Sequence, residues 1–134
     1  MKSIPPIKSV MTPFPYWVDA GEPAGRAAAT MVEHGVHHLP VMEKGQPVGV
    51  LKADDTEGAG KSDTAGSVCN RNVYIVDFFE PLDRVLTNMA EERYESALVV
   101  RDGKLVGIFT ITDACRYFGQ LLRTLFPRSD GDAA

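Results

Sequence analysis

The amino-acid sequence predicts an α+β fold in which two β-α-β-β-α repeats pack sheet to sheet about a pseudo-twofold axis, with a C-terminal amphipathic helix. The first observation is an internal repeat, because a shift of 58 positions aligns residues 10–55 with residues 68–113 without a gap. The second is that strand-like and helix-like patterns alternate identically in both copies. The third is the length of 134 residues, which suits one compact unit, whereas a copy of about 50 residues buries too little surface alone.

The repeat has the character of a tandem duplication. Fourteen of the 46 aligned positions are identical, where unrelated sequences share about three. The segment GQPVGVLKADD, which begins at Gly45, falls on GKLVGIFTITD, which begins at Gly103. Two similar clefts are therefore expected where the copies meet.

Each copy opens with a predicted strand, at residues 15–18 and 73–76. A Glu-Pro pair follows, and proline suits the first helical position because its missing N–H has no partner there. Apolar residues then recur at helical spacing over 24–32 and 82–90, and Gly35 is suited to cap the first helix. The next strands are expected at 38–42 and 47–51, and at 97–100 and 105–110, with a tight turn inside each pair.

The chain divides by composition into four parts. Residues 7–58 form repeat 1, the glycine-containing stretch 59–66 is a linker, and residues 67–126 form repeat 2 with the C-terminal helix. Residues 127–134 are predicted to be a frayed tail. The C-terminal helix has a wide apolar face, which predicts packing on the sheets or on another subunit.

Composition excludes several classes of partner and setting. The formal net charge of −4 argues against nucleic acid as a partner, since phosphate binding needs clustered Lys and Arg. The same negative charge argues against an anionic membrane as a partner, and no apolar run approaches the roughly 18 residues that a membrane helix needs. Two cysteines are too few for a disulfide framework. We expect a cytoplasmic protein with reduced thiols.

The residues offer little for catalysis. No nucleophile elbow, phosphate-binding loop, Cys-x-x-Cys pair or His-Glu-x-x-His motif is present. We therefore expect no enzyme, no catalytic residue, no metal site and no obligatory cofactor.

The end of the last strand of each copy carries the most specific signal. The second copy reads Gly-Ile-Phe-Thr-Ile-Thr-Asp to Asp113, and the first reads Gly-Val-Leu-Lys-Ala-Asp-Asp to Asp55. A carboxylate at a helix start can accept hydrogen bonds from a ribose diol, and free helical N–H groups favour a nearby phosphate. The pattern suits a ribonucleotide. Thr110 and Asp113 also fit a capping box, which would satisfy the helix start without any ligand.

At these positions the chain resembles paired CBS (cystathionine-β-synthase) domains, also called a Bateman module. The resemblance is carried by Val-Met-Thr-Pro at 10–13, by Glu-His-Gly-Val-His-His-Leu-Pro-Val at 33–41 and by the two glycine-to-aspartate strand ends. It extends over roughly residues 7–118 and is similar to the stand-alone bacterial form.

The resemblance implies a regulatory module that binds AMP, ADP, ATP or S-adenosylmethionine between its repeats and signals to an unidentified protein by conformational change. It also implies a homodimer. By position, Asp113 would hold the ribose, Thr110 the phosphate side and Ile108 the base. The facing wall would come from the first repeat: Thr12, Pro15, Tyr16, Val36 and His37.

The mirror cleft departs from the family pattern, and we rank it below the Asp113 cleft. It would use Asp55 and Lys52 together with Asn70, Val73, Tyr74, Tyr94 and Glu95. Cys-Asn-Arg replaces Met-Thr-Pro, and Lys52 replaces the hydroxyl residue. Glu95 would repel a phosphate if it points inward, whereas Lys52 and Arg71 could compensate.

Two other functions stay open. The chain could be a ligand-free dimerisation or interaction scaffold whose aspartates only cap helices. It could also be a metal-binding module that uses His34, His37 and His38, although neighbouring residues of a strand point to opposite faces.

Overall fold

The elements of the chain alternate as the duplication predicts. In the computed structural model, which describes residues 3–129, the first repeat region holds a 3₁₀ turn (Ile7–Ser9), β1 (Thr12–Pro13), β2 (Val18–Asp19), α1 (Ala24–His34), β3 (Leu39–Glu43), β4 (Gln46–Leu51) and α2 (Ala53–Thr56). The second holds α3 (Ala65–Val68), β5 (Ile75–Asp77), α4 (Leu82–Glu92), β6 (Ser96–Arg101), β7 (Lys104–Thr110) and α5 (Ile111–Leu125). The predicted α+β class is confirmed.

Two sheets are formed, and the opening segment of each repeat crosses to the other sheet. The strand orders are β2-β3-β4 and β1-β7-β6-β5, so that β1 joins the sheet of the second repeat. Thr12 of β1 lies antiparallel to Ile108 of β7. By the offset of 58 residues, Asn70 corresponds to Thr12 and Val50 corresponds to Ile108. Asn70 and Val50 exchange two backbone hydrogen bonds of 3.0 Å.

The segments before these crossings dock on the opposite repeat in matching ways. The Ile7 N–H donates to the Glu80 carbonyl at 2.8 Å, and the Ala65 N–H donates to the Glu22 carbonyl at 2.8 Å. Ile7 is fully buried in the core of the second repeat, among residues such as Val85. Ala65 is fully buried in the core of the first. We call residues 5–13 and 63–71 the exchanged arms.

Two glycines make room for these arms. A Cβ on Gly107 would overlap the Met11 side chain, and a Cβ on Gly49 would lie 2.5 Å from the Cys69 Sγ atom. The groups that approach these two glycines all belong to the exchanged arms.

Several element ends differ from the sequence-based expectation. Pro23 is the N-cap of α1 and not its first helical residue, with φ −58° and ψ 141°. The first predicted strand, residues 15–18, contracts to Val18–Asp19 because only these two residues pair with β3. Gly35 caps α1 in the left-handed conformation as predicted, whereas Arg93 adopts that conformation after α4.

Part of the predicted linker has secondary structure, whereas the described part of the predicted tail has none. Within residues 59–66, the Thr64 side chain caps α3 by accepting from the Ser67 N–H at 3.2 Å. Residues 127–129 follow α5 without helix or strand, and residues 130–134 of the predicted tail lie outside the described residues. No helix within residues 3–129 has the length and apolar character that a membrane span requires.

Candidate functional site

Asp113 uses one carboxylate oxygen to cap α5 and presents the other to a cleft. Its Oδ2 atom accepts from the Thr110 N–H at 2.9 Å and from the Thr110 hydroxyl at 3.1 Å. The Thr110 hydroxyl accepts from the Asp113 N–H at 3.2 Å, which completes the capping box. The Asp113 Oδ1 atom faces the Thr12 hydroxyl at 3.5 Å and the Arg116 guanidinium at 3.4 Å. The cap therefore leaves one oxygen for a ligand.

The cleft beside Asp113 has a volume of about 260 Å³ and is lined by both repeats. Six of the residues predicted for it lie in its wall: Thr12, Val36, His37, Ile108, Thr110 and Asp113. Gly35, His38, Thr112 and Arg116 complete the lining. Polar groups gather at the start of α5, and Val36 and Ile108 supply apolar surface. This arrangement suits a ligand with a polar end and a flat apolar end.

Pro15 and Tyr16, which were also predicted for this cleft, do not line it. The Tyr16 ring stacks on the His34 ring, with centroids 3.8 Å apart and planes inclined by 11°. Pro15 lies in a separate depression of about 500 Å³ beside Phe14 and Trp17. The backbone turns away after β1, where Phe14 has a φ of 51°.

The mirror cleft has a volume of about 190 Å³ and brings together all the residues predicted for it. They are Asp55, Lys52, Asn70, Val73, Tyr74, Tyr94 and Glu95. The Asp55 Oδ2 atom accepts from the Lys52 N–H at 2.8 Å, as Asp113 does from Thr110. The Tyr74 and Tyr94 rings are stacked, with centroids 4.9 Å apart. Sequence analysis ranked this cleft second, yet its predicted lining is the more completely assembled.

An ion pair lies inside the mirror cleft. The Lys52 Nζ atom is 2.9 Å from the Glu95 Oε2 atom. This hydrogen bond raises the pKa of the Lys52 ammonium and lowers the pKa of the Glu95 carboxyl. Glu95 thus points inward, as sequence analysis had considered, but Lys52 compensates its charge.

His38 lies between the clefts and lines both. Burial lowers the pKa of its ring, although the neighbouring Glu95 opposes that shift. The His38 Nε2 atom is 3.7 Å from the Glu95 Oε2 atom and, within residues 3–129, has no hydrogen-bond partner. His38 had been considered only as a metal ligand.

Two cations were missed by the sequence analysis. Arg116 follows Asp113 by three residues, a spacing that places two side chains on one face of a helix, so its position was predictable. Arg93 lines the mirror cleft and has the left-handed backbone conformation that Gly35, its counterpart in the first repeat, also adopts. An arginine in that conformation is unusual, and the sequence carries no clear signal for it.

The histidine cluster provides no metal centre in the described chain. His34 is exposed and stacks on Tyr16, His37 lines the Asp113 cleft, and His38 is half-buried. Within residues 3–129, no group of three or more His, Cys, Asp or Glu side chains is placed to hold a metal ion.

Comparisons with known proteins agree with this fold. The chain is similar to the CBS domain pair of protein MJ0100 in complex with 5′-methylthioadenosine and S-adenosyl-L-methionine, with 28% identity, a TM-score of 0.79 and coverage of 89% of this chain and 99% of that chain. It is also similar to an uncharacterized conserved protein from Pyrococcus horikoshii, with 29% identity, a TM-score of 0.72 and coverage of 97% and 98%. CBSX2 in complex with AMP shares the fold at 23% identity and a TM-score of 0.76, with coverage of 89% and 99%.

The family model of the CBS domain matches the chain twice, at residues 7–55 and 65–120. Each match includes most of an exchanged arm, the strands that follow it and the aspartate at the start of the next helix. The chain therefore belongs to the CBS domain family and carries a pair of these domains.

Proposed function

We propose that this chain is a regulatory module without turnover that binds an adenosine ligand in the Asp113 cleft. The ligand is AMP, ADP, ATP or S-adenosylmethionine. The observation that carries the proposal is the second carboxylate oxygen of Asp113, which the α5 cap leaves facing the cleft. The Asp113 side chain is 14% exposed, so that a ligand can reach the oxygen while bulk water is largely excluded.

Each part of the cleft matches one part of a nucleotide. The Asp113 Oδ1 atom can accept from a ribose hydroxyl, because an ionised carboxylate is a strong acceptor for O–H donors. The Arg116 guanidinium and the N-terminus of the 15-residue helix α5 favour a phosphate. Val36 and Ile108 provide an apolar wall for the base.

The same cleft can convert binding into a signal. Val36 and His37 belong to the first repeat, whereas Ile108 and Asp113 belong to the second. A ligand that contacts both groups favours the arrangement of repeats in which the contacts are made together. It shifts that equilibrium only by its differential affinity for the two arrangements. An unidentified protein partner would bind one arrangement in preference to the other.

Two solved relatives support the chemical class of ligand. MJ0100 carries 5′-methylthioadenosine and S-adenosyl-L-methionine, and CBSX2 carries AMP. These ligands share adenosine and differ at its 5′ substituent. Adenosine recognition is therefore the common element that we propose for this chain.

Titration calorimetry of the full chain with AMP, ATP and S-adenosylmethionine tests the proposal. We expect micromolar dissociation for at least one of them and a loss of at least tenfold in affinity in Asp113→Asn. Asp102→Asn is the matched control, since it removes the same charge from an exposed hairpin turn whose φ of 51° asparagine tolerates. No heat from any compound, or full affinity in Asp113→Asn, would refute binding at this cleft.

The completed capping box favours one alternative, a ligand-free interaction scaffold. In that case Asp113→Ala lowers the stability by the cost of a lost helix cap, about 1 kcal/mol, and has no other effect. Adenosine compounds then leave the melting temperature of the wild-type protein unchanged. Thermal melts with and without each compound separate the scaffold from the sensing module.

We also propose that the module forms a homodimer through α5. Only Ala114 of this helix is buried, whereas Phe118, Leu122 and Leu125 are exposed on the single chain. Phe118, Leu122 and Leu125 recur at helical spacing and form one apolar face. A second copy of the same face would cover it and give a symmetric interface.

A further inference from the structure

We propose that the mirror cleft is specific for an adenosine compound with a zwitterionic amino-acid group, whereas the Asp113 cleft is specific for a phosphorylated one. This inference rests on the proposed function, since it assumes that adenosine is recognised. It adds that the two clefts of one chain divide the ligands by charge. The observations that carry it are the Lys52–Glu95 ion pair and the different sets of charges that line the clefts.

The ion pair occupies the positions of a threonine and a histidine of the Asp113 cleft. Lys52 stands at the position of Thr110, and Glu95 stands at the position of His37, each displaced by 58 residues. Both side chains line the mirror cleft, and the atoms that face each other are 2.9 Å apart. A cation and an anion at this spacing match the carboxylate and the ammonium of an α-amino acid, which would bind Lys52 and Glu95 respectively.

The pair can open for such a ligand at little cost. The Lys52 side chain is 35% exposed and the Glu95 side chain is 57% exposed. Solvent-exposed ion pairs contribute little to stability, because water screens the charges and long side chains lose entropy when held together. A zwitterion that enters between Lys52 and Glu95 replaces their single ion pair by two ion pairs with the ligand. Neither charge is left without a partner.

A phosphate lacks this compensation in the mirror cleft. The charged groups of its lining are the cations Lys52 and Arg93 and the carboxylates Asp55, Glu92 and Glu95, which leaves one negative charge in excess. Burial lowers the pKa of His38, so this ring adds no full positive charge at neutral pH. A phosphate that binds Lys52 would displace Glu95 and stand beside a like charge.

The Asp113 cleft has the opposite balance where a phosphate would lie. Its charged lining groups are Asp113 and Arg116, and no glutamate is among its lining residues in the described chain. With Asp113 bound to the ribose, Arg116 and the start of α5 remain for a phosphate.

The rest of the mirror cleft is suited to adenosine. Asp55 repeats the capping contact of Asp113 at the start of a helix, which places its carboxylate beside Lys52. The stacked rings of Tyr74 and Tyr94 line the same cleft and offer an aromatic surface for a base.

The experiment compares three compounds that share adenosine and differ in charge at the 5′ position. They are AMP, an anion; 5′-methylthioadenosine, which is neutral there; and S-adenosyl-L-homocysteine, a zwitterion. Titration calorimetry uses the full chain, with Asp113→Asn and Asp55→Asn assigning each binding event to a cleft. We expect Asp113→Asn to weaken AMP at least tenfold, and Asp55→Asn to weaken S-adenosyl-L-homocysteine at least tenfold.

Glu95→Gln then tests the role of the ion pair. We expect it to weaken S-adenosyl-L-homocysteine about tenfold, to leave 5′-methylthioadenosine within twofold and to strengthen AMP binding at the mirror cleft. Glu91→Gln is the matched control, because it removes the same charge from an exposed residue of α4 that does not line the mirror cleft. It should leave the affinity for S-adenosyl-L-homocysteine unchanged.

The outcomes separate this inference from the proposed function. Binding of AMP that depends on Asp113, together with equal effects of Glu95→Gln on all three compounds, overturns the charge division and leaves the proposed function standing. Preference of the mirror cleft for AMP overturns it as well. Failure of every adenosine compound to bind the wild-type chain refutes the proposed function and the charge division with it.

Discussion

Gly107 of β7 lies against the side chain of Met11, which the first exchanged arm carries from one end of the chain onto the other repeat. Its counterpart Gly49 lies against Cys69 of the second arm, and a Cβ there would also be 3.1 Å from the Asn70 carbonyl oxygen. The contact is thus part of the duplicated architecture. It links strand β7, which leads into the helix that carries Asp113, to the arm that carries Thr12.

Alanine at either glycine should destabilise the protein. We expect Gly107→Ala to cost about 1–3 kcal/mol, because overpacking forces neighbours to move. Gly49→Ala should cost more, since the Asn70 backbone cannot rotate away as the Met11 side chain can. Urea unfolding measures both variants. The control is Gly119→Ala in α5, where the nearest group is the Arg123 side chain at 3.7 Å; helix propensity predicts that it stabilises by about 0.5–1 kcal/mol.

Truncation of Ile7 should damage the second repeat. Ile7 is fully buried in that core, and Ile→Ala in a core costs about 2–5 kcal/mol. Hydrogen exchange should therefore show the largest loss of protection in β5 and β6, far from residue 7 in sequence. Ile4→Ala, at a residue that is 54% exposed, should change stability by less than about 0.5 kcal/mol. A loss confined to β3 and β4 would contradict the exchange of arms.

Stability should fall in mild acid because of His38. Its pKa is lowered from the ordinary value of 6.5 by burial, so the unfolded chain takes up the proton more readily than the folded chain. The stability that the neutral ring provides is thus full above its unfolded pKa. It starts to fall as the pH drops below that value and is fully lost below the lower folded pKa. Glu95 affects stability only at lower pH. Its pKa is lowered from the ordinary value of 4.5, so its stabilising negative charge is lost only as the pH falls below 4.5.

Chemical unfolding at a series of pH values between 7.5 and 5, a range chosen around the ordinary pKa of His38, measures the effect. His38→Gln should flatten the dependence in this window. Parallel losses of stability in the wild type and in His38→Gln would assign the acid sensitivity to another group.

A charge on the apolar face of α5 should separate the proposed dimer. Leu122 is 55% exposed on the single chain, so Leu122→Glu is expected to leave the monomer fold intact. In a dimer the same glutamate would be buried without a partner, which is strongly unfavourable. Sedimentation velocity should show a dimer for the wild type and a monomer for the variant. Gln120→Glu, at an exposed residue of the same helix, is the control and should stay dimeric.

The repeat explains how much of the fold and the clefts was predictable. An offset of 58 residues related Asp55 to Asp113, and the residues predicted around Asp55 do line one cleft. Helices α1 and α4 followed from their apolar spacing because a helical period persists over eleven residues. The exchange of arms was not predictable in the same way. Strands as short as β1 carry no period, and the pairing of Thr12 with Ile108 depends on long-range contacts.

Tyr16 shows the limit of assigning side chains to a cleft by position. Its counterpart Tyr74 lines the mirror cleft, but Tyr16 stacks on His34 instead. The second copy has Glu92 at the position of His34, which offers no ring for Tyr74 to stack on. The change from His34 to Glu92, 18 residues after each tyrosine, therefore determines where the tyrosine ring lies. The sequence next to the tyrosine does not predict this.

The exchanged arms also determine what happens when the chain is cut. A nick in the exposed loop around Gly58 would produce two fragments, each lacking the segment that closes its own core and carrying the segment that closes the other. Neither fragment has the parts to fold by itself, whereas the two mixed together possess every contact of the intact protein. Complementation between separately expressed halves is thus inherent in the topology, and an ancestral single-copy polypeptide with this arrangement would have been an obligate pair.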